Sequence, residues 1–503
     1  MRDIKAAVFI MACLFHIAPV EQARAQEGAL DLELSTTYER WTLPGNEKMG
    51  MANVRLSEFS GEYFNYGIES YTAVAGERGG FITIGAHAGL RFPVSQRLSL
   101  DSGLSVGAGG GRGGYFLSGG GLMLRGHAGL KYAAPIGQLG LGVSYVSFPE
   151  NGDIDSAQAY ISYSLPFSVA GRPGLNFGTA AQAGNAIPRR KDSKTHQFSL
   201  VTRSVMANRQ VLKDASATVF QEDFKMLGVR WRTHLTDTWI AQFETVGGGG
   251  GNSAGYMHLL AGLGARQSIT RNLSVYETLS IGGGGGGGVP TGGGFLVDAA
   301  IGVQYLFPNS AFIDVSASKF LAPSTAFSNT TLNLNFGYQL GTARPADTGS
   351  VDRRLAYPVR IRTVQQNYKG THPNWRNRPA QPVDNLGFQI DYFMSPNMFL
   401  TGQAIGAWGG DAGAYMTGLV GAGVHKDLIG NLFVEAEGLV GVAGGGGLTV
   451  GSGAVGQVNL GLGYQFTPRL SAMVSTGKIK SFDGDFEADV LGVSLNYDFT
   501  LFF

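Results

Sequence analysis

The residues able to do chemistry are few and dispersed. Of the eight histidines, His87, His127, His234, His258 and His425 are single residues in different strand-like runs. Acyl transfer or hydrolysis needs a histidine held against a serine or an acid. The chain has no Gly-x-Ser-x-Gly elbow and no His-Glu-x-x-His pair. Gly109-x-Gly111-x-x-Gly114 has the dinucleotide spacing, but it lies between two extended runs with no helix behind it, and no Gly-Lys-Ser/Thr follows a glycine tract. The only cysteine is Cys13, which removes disulfides and Cys-based metal sites from a processed chain. No enzyme, cofactor or metal is therefore expected. What remains is a set of polar residues at even spacings within each run: Arg125, His127 and Lys131; Asp298 and Gln304; Gln457 and Asn459. Asp101, Glu435 and Glu437 stand on the runs before them. Period two places such residues on one side of a strand, and a charged strand face lines a wet lumen. Asp101 and Arg125 lie at similar distances from the glycine tract between them, which predicts an ion pair across the hairpin or two separately wetted side chains.

The strands that carry these residues have a second, apolar face. Leu124, Ala128, Leu130 and Tyr132 alternate with the charges, as do Val297, Ile301, Val303 and Tyr305. The pattern is strongest at the C-terminus, where Leu491, Val493, Leu495, Tyr497, Phe499, Leu501 and Phe503 alternate with Gly492, Ser494, Asn496, Asp498 and Thr500. This ending resembles the closing strand of Gram-negative outer-membrane β-barrels. The resemblance implies an outer-membrane location among outer-membrane lipid. It also implies recognition of Tyr497, Phe499, Leu501 and Phe503 by the barrel assembly machinery. Glu277 breaks the alternation: it shares parity with Leu273, Val275, Leu279 and Ile281. A strand bulge that turns it inward is the simpler expectation.

The chain has 503 residues, 15% charged, with a net charge of +1, which carries none of the basic excess of a nucleic-acid binder. Residues 1–25 read as a secretory signal: Arg2 and Lys5, an apolar run Ala6 to Ala18, then Ala23-Arg24-Ala25 before Gln26. No later stretch is long and apolar enough for a membrane helix, so a membrane would be crossed by strands closed into a barrel.

Three copies of one pattern follow in register. Gly80 to Leu98, Gly255 to Leu273 and Ala414 to Leu432 align without a gap, and each copy continues through a glycine tract to Tyr132, Tyr305 or Tyr464. Each copy holds about eight strands, giving roughly twenty-four, an even number as bacterial barrels have. The copies span 26–168, 196–340 and 357–503, joined by segments 169–195 and 341–356. The short connections, such as Pro93 to Arg97 and Ser268 to Arg271, belong on the periplasmic side, and the glycine tracts on the extracellular rim. The two joining segments then lie in the periplasm, as plain linkers or as a docking site for a partner. Tyr132, Tyr305, Tyr464, Phe92, Phe307 and Phe466 form an aromatic girdle at one interface. Tyr115, Phe116, Tyr256 and Phe295 sit at the other, as a second girdle or a carbohydrate-stacking surface.

The expected fold is thus an all-β transmembrane antiparallel barrel of about 24 strands in three eight-strand repeats, with tandem smaller barrels as the alternative. A single large ring is favoured, because inward positions are mostly Gly, Ser, Ala, Asn and Thr, too small to fill separate narrow barrels. The expected function is a pore for passive solute passage or polymer export. A pore this wide needs its extracellular loops folded inward or a partner inside it; the alternatives are therefore a secretion or surface-assembly barrel filled by a partner, and a structural or adhesive surface protein.

Overall fold

A computed structural model of the chain describes residues 29–177, 195–206, 223–340, 356–371, 374–375, 378–379 and 381–502. Residues 1–28, where a signal is expected, residues 178–194 and 341–355 of the joining segments, and Phe503 lie outside them. The alternating runs form twenty-four long antiparallel strands, eight from each repeat. In the first repeat these are β1 (Ala29–Thr42), β2 (Lys48–Ser60), β3 (Phe64–Ala75), β4 (Ile82–Pro93), β5 (Leu98–Gly110), β6 (Leu122–Ala134), β7 (Gly137–Ser147) and β8 (Asp155–Pro173). The second contributes β9 (His196–Met206), β10 (Phe224–His234), β11 (Trp239–Gly250), β12 (Met257–Ser268), β13 (Leu273–Gly285), β14 (Phe295–Leu306), β15 (Ala311–Leu321) and β16 (Ser328–Leu340). The third contributes β17 (Ala356–Gly370), β20 (Val383–Ser395), β21 (Met398–Gly409), β22 (Met416–Asp427), β23 (Leu432–Gly444), β24 (Ala454–Gln465), β25 (Leu470–Ser481) and β26 (Glu487–Phe502). The small hairpin β18 (Asn374–Trp375) and β19 (Arg378–Pro379) stands in the connection between β17 and β20.

Each repeat closes on itself. β1 pairs with β8, β9 with β16 and β17 with β26, so the molecule is three eight-stranded barrels side by side. The strand inventory and the threefold repeat are those expected from the sequence. The closure is that of the tandem alternative and corrects the preference for a single ring. The reason is interior volume. An eight-stranded barrel leaves room only for side chains, and the inward positions include long ones that the small Gly and Ser residues between them had masked, among them Glu39, Arg55, Arg203, Arg230, Arg360 and Arg362.

The barrels meet at their loop ends through the glycine tracts, and the contacts repeat with threefold regularity. A Cβ on Gly80 of the first barrel would collide with the backbone of Gly285 and Gly286 in the second. One on Gly444 of the third would collide with Gly255 of the second, and one on Gly110 of the first would approach the Ala414 nitrogen of the third to 2.8 Å. Positions 80, 255 and 414 are equivalent in the repeat, as are 110, 285 and 444, so the same pair of positions makes all three contacts. Gly79 N–H also donates to the Gly292 carbonyl at 2.8 Å, and Gly413 N–H to that of Gly119 at 3.1 Å, joining barrels by backbone hydrogen bonds. Much of each tract is therefore strand end and junction rather than loose rim loop. The first and third barrels are further joined at the turn end, where β8 runs on beside β26 through Gly171↔Leu501, Arg172↔Thr500 and Pro173↔Phe499. There Tyr497 O–H donates to Glu58 across the seam at 3.3 Å.

The junction position needs positive φ: Gly80 has +86°, Gly255 +85° and Ala414 +84°. Ala414 carries a Cβ in a region that suits glycine. Ala414→Gly is expected to stabilise the protein by about 1 kcal/mol, whereas Gly80→Val lowers stability and loosens the first barrel from the second. Urea unfolding of the two variants in lipid vesicles, followed by tryptophan fluorescence, measures both.

Candidate functional site

Inward side chains fill each barrel in two layers, a polar network below and an apolar plug at the loop end. In the first barrel Glu39 accepts from Arg125 at 2.9 Å, Ser144 at 2.7 Å and the Trp41 indole at 2.7 Å. Glu33 pairs with Arg91 at 2.7 Å and Lys131 at 2.8 Å. Asp101 pairs with Arg91 at 3.1 Å and His127 at 3.3 Å, and Arg55 with Glu69 at 2.8 Å. Four cations, Arg55, Arg91, Arg125 and Lys131, thus face four carboxylates, Glu33, Glu39, Glu69 and Asp101. The space left among Arg55, Asp101, Arg125, His127 and Lys131 is about 10 Å³, room for one water molecule.

The second barrel repeats the design with different residues. Arg203 bridges Asp298 at 2.9 Å and Glu244 at 2.7 Å, Arg230 binds Glu244 at 2.6 Å, and Arg232 binds Asp314 at 3.1 Å. Near the turn end Gln197 donates to Gln304 at 2.9 Å and Gln339 at 2.8 Å. In the third barrel Arg360 binds Asp498 at 2.6 Å and also Glu435, and Arg362 binds Asp391 at 2.5 Å and Glu435 at 2.8 Å. Glu437 accepts from Gln389 at 2.7 Å and Asn459 at 2.8 Å, and Gln457 donates to Asn459 at 3.1 Å. Phe393 and Phe433 lie 4.9 Å and 5.4 Å below the Arg360 guanidinium, closing this interior toward the turns.

Above each network sits the plug. In the first barrel Trp41 packs on Tyr71, Phe81 and Phe148 with ring centroids 5.8, 6.1 and 6.2 Å apart, and Leu117 and Ile154 fold in from the loops. Phe224, Tyr256, Phe320 and Phe327 serve the second barrel; Tyr368, Tyr415, Leu448 and Phe486 the third.

The residues singled out from the sequence all project into these interiors: Asp101, Arg125, His127, Lys131, Asp298, Gln304, Glu435, Glu437, Gln457 and Asn459. Three expectations are corrected. Asp101 and Arg125 are not partners; the register sets Asp101 against Gly129 and Ser105 against Arg125. The connection runs past the glycines through a helical turn at Tyr115–Ser118, which moves the hairpin centre away from the tract. Glu277 is not turned inward: β13 pairs with β12 and β14 in unbroken register, and Glu277 stays on the outer wall, exposed, opposite Ala265 and Ile301. Tyr256 belongs to a plug rather than a girdle, because its strand has not yet emerged from the junction. The partners missed by the sequence reading, such as Glu39, Arg55, Glu244 and Arg360, sit at inward parity in their own strands. That parity was the available signal. In β26, Tyr497 and Phe499 face outward beside the first barrel's seam.

The outer walls carry exposed Leu, Ile and Val at alternate positions, with Tyr132, Tyr305, Tyr464, Phe92, Phe307 and Phe466 exposed beside the short turns. A closed barrel with an apolar outer band and an aromatic girdle is built for a bilayer. It is a β-barrel protein with the walls of a membrane-spanning barrel. No family model and no curated protein matches the sequence. Solved structures similar to it include Pseudomonas aeruginosa OccK11 (OpdR), at 12% identity and a TM-score of 0.21, covering 95% of this chain and 98% of that one. Acinetobacter baumannii OccAB4 is 10% identical at a TM-score of 0.23, with 96% and 100% covered. The siderophore receptor PirA from Acinetobacter baumannii is 10% identical at 0.27, with 94% and 80% covered. Such TM-scores correspond to no shared overall arrangement, and the assignment rests on the walls and closures described above.

Arg125→Ala leaves the Glu39 carboxylate buried beside one hydroxyl and one indole. It is expected to cost about 3–5 kcal/mol in unfolding free energy, and the double variant Glu39→Gln/Arg125→Met is expected to recover much of it. Urea titration in lipid vesicles measures the pair; equal losses in both variants would deny that Arg125 is held by Glu39.

Proposed function

We propose that the protein is a sealed outer-membrane platform, three rigid barrels that present a common loop face, and not an open channel. The apolar plug over a network of paired charges and hydrogen bonds in each interior carries this reading. A solute on its way through would have to break paired, desolvated charges and then displace packed aromatic rings, and a polymer would meet the same obstruction. The wide, weakly charged lumen expected of a single ring belongs to a closure that these repeats do not adopt.

A platform works through what it displays, and the loop face is unevenly furnished. The connection between the first two strands is Leu43–Glu47 in the first barrel, but it spans 207–223 in the second and 371–382 in the third, where β18 and β19 stand. Long connections on a rigid scaffold are where contact with other molecules resides. This favours the surface-contact alternative over passive transport.

Planar-bilayer recording decides between them. Purified protein is expected to leave the membrane at baseline conductance, whereas Glu39→Ala/Arg125→Ala with Trp41→Ala adds small steps. Stable unitary steps from the unaltered protein would overturn the platform reading. Shortening 207–223 is expected to leave membrane insertion intact while reducing attachment of whole cells to surfaces.

A further inference from the structure

The threefold pattern of the junction is broken one layer below it. Val106, Ile281 and Val440 are equivalent, each on the outer wall of the fifth strand of its barrel. Val106 is fully buried, while Ile281 and Val440 are each 51% exposed. Val106 is covered by the third barrel: it packs in one cluster with Ala86, Ala108, Leu122, Leu386 and Trp408, with Phe388 against it. The counterparts of Leu386 and Phe388 are fixed by register, since Leu386 pairs with Gly406 just as Ala52 pairs with Thr72. Ala52 and Val54 therefore hold the same places on the first barrel, facing the second, and Val54 is 37% exposed. The first–third seam is closed at this depth, and the first–second seam has two apolar walls standing open.

That seam is roofed at the loop end by the Gly79–Gly292 hydrogen bond and the Gly80–Gly285 contact. It opens toward the turn side. Glu277 lies on the same wall, four residues toward the turns from Ile281 and four above Leu273, whose strand neighbour Tyr305 belongs to the girdle. At ~3.3 Å per residue on a tilted strand, Glu277 stands roughly 10 Å above Leu273, on the turn-side half of the wall. Its equivalents are Ser102 and Ala436, so the charge is particular to this barrel. Among the described residues it makes no ion pair, and an unpaired carboxylate on a lipid-facing wall is costly unless a cation answers it.

We propose that the first–second seam is a phospholipid site: one acyl chain lies between Ile281 and Val54 beneath the glycine roof, and an ammonium headgroup of the turn-side leaflet pairs with Glu277. The apolar walls continue an established interface, which selects a hydrocarbon chain, and the carboxylate selects its headgroup. The site lies outside the sealed interiors and stands whether or not those interiors conduct.

The test uses the full mature chain in vesicles of phosphatidylethanolamine and phosphatidylglycerol in equal parts, extracted into mild detergent and weighed by native mass spectrometry. The unaltered protein is expected to retain phosphatidylethanolamine. Ile281→Trp and Val54→Phe, which fill the gap from opposite walls, lose it, while Leu141→Trp, on β7 away from the seams, keeps it. Glu277→Gln keeps a lipid but loses the preference for the ethanolamine headgroup by roughly three- to fivefold. Retention unchanged by both filling variants overturns the site, as does a retained protein chain in place of lipid. A preference that survives in Glu277→Gln overturns the role of the carboxylate. Should the filling variants fail to fold, spin-labelled phosphatidylethanolamine on the unaltered protein gives the same decision: an immobilised fraction supports the site and its absence refutes it.

Discussion

Closure at eight strands is the constraint from which the rest follows. A ring that narrow has no room for bulk water along its axis, so whatever points inward must be satisfied by other inward side chains. The three interiors solve this with the same economy and different residues. A carboxylate shared by two or more donors recurs at Glu39, Glu244 and Glu435, and long arginines reach it from across the barrel. A buried charge left alone costs several kcal/mol, so the arginines of each network are set against carboxylates and every removal is felt. With the middle filled, the loop ends can be apolar, and aromatic residues from strands and loops pack there as they would in a soluble core.

The second organising fact is backbone proximity. Strand ends of neighbouring barrels approach so closely that side chains are excluded at the contact, and glycine is the residue that permits this. The contacts run head to tail, fifth strand of one barrel to the third and fourth of the next, and return on themselves after three steps. This is the heterologous ring closure of a cyclic trimer, achieved here within one polypeptide. Placing three copies in one chain frees them from identity. The first and third barrels have used that freedom to zip together along their turn ends through β8 and β26. The second remains held by the glycines, and it carries a carboxylate at Glu277 where the other two have Ser102 and Ala436.

Much of this was legible in the residue order. Alternation at period two identified the strands and their wet and apolar faces. The ungapped match of the segments that open at Gly80, Gly255 and Ala414 identified the repeats, and the tyrosines beside short turns marked an interface. The partner of each charge was not legible, because register depends on where a hairpin turns. Between β5 and β6 a helical turn shifts that point and sends Asp101 to His127 rather than to Arg125. Tyr256 went astray for a related reason: strand parity says which side a residue faces, but not how far along the barrel the plug extends.

By itself the sequence determined that the chain forms membrane-competent β-strands in three equivalent sets, since alternation and repetition are local properties written along the chain. Only the tertiary structure decided how the sets close. One ring and three rings use the same strands, the same alternation and almost the same hairpins. They differ in a few ladders between distant strands, β1 with β8, β9 with β16 and β17 with β26. What tips the balance is whether scattered arginines and carboxylates can satisfy one another across a narrow axis, a matter of three-dimensional distance that no spacing along the chain records.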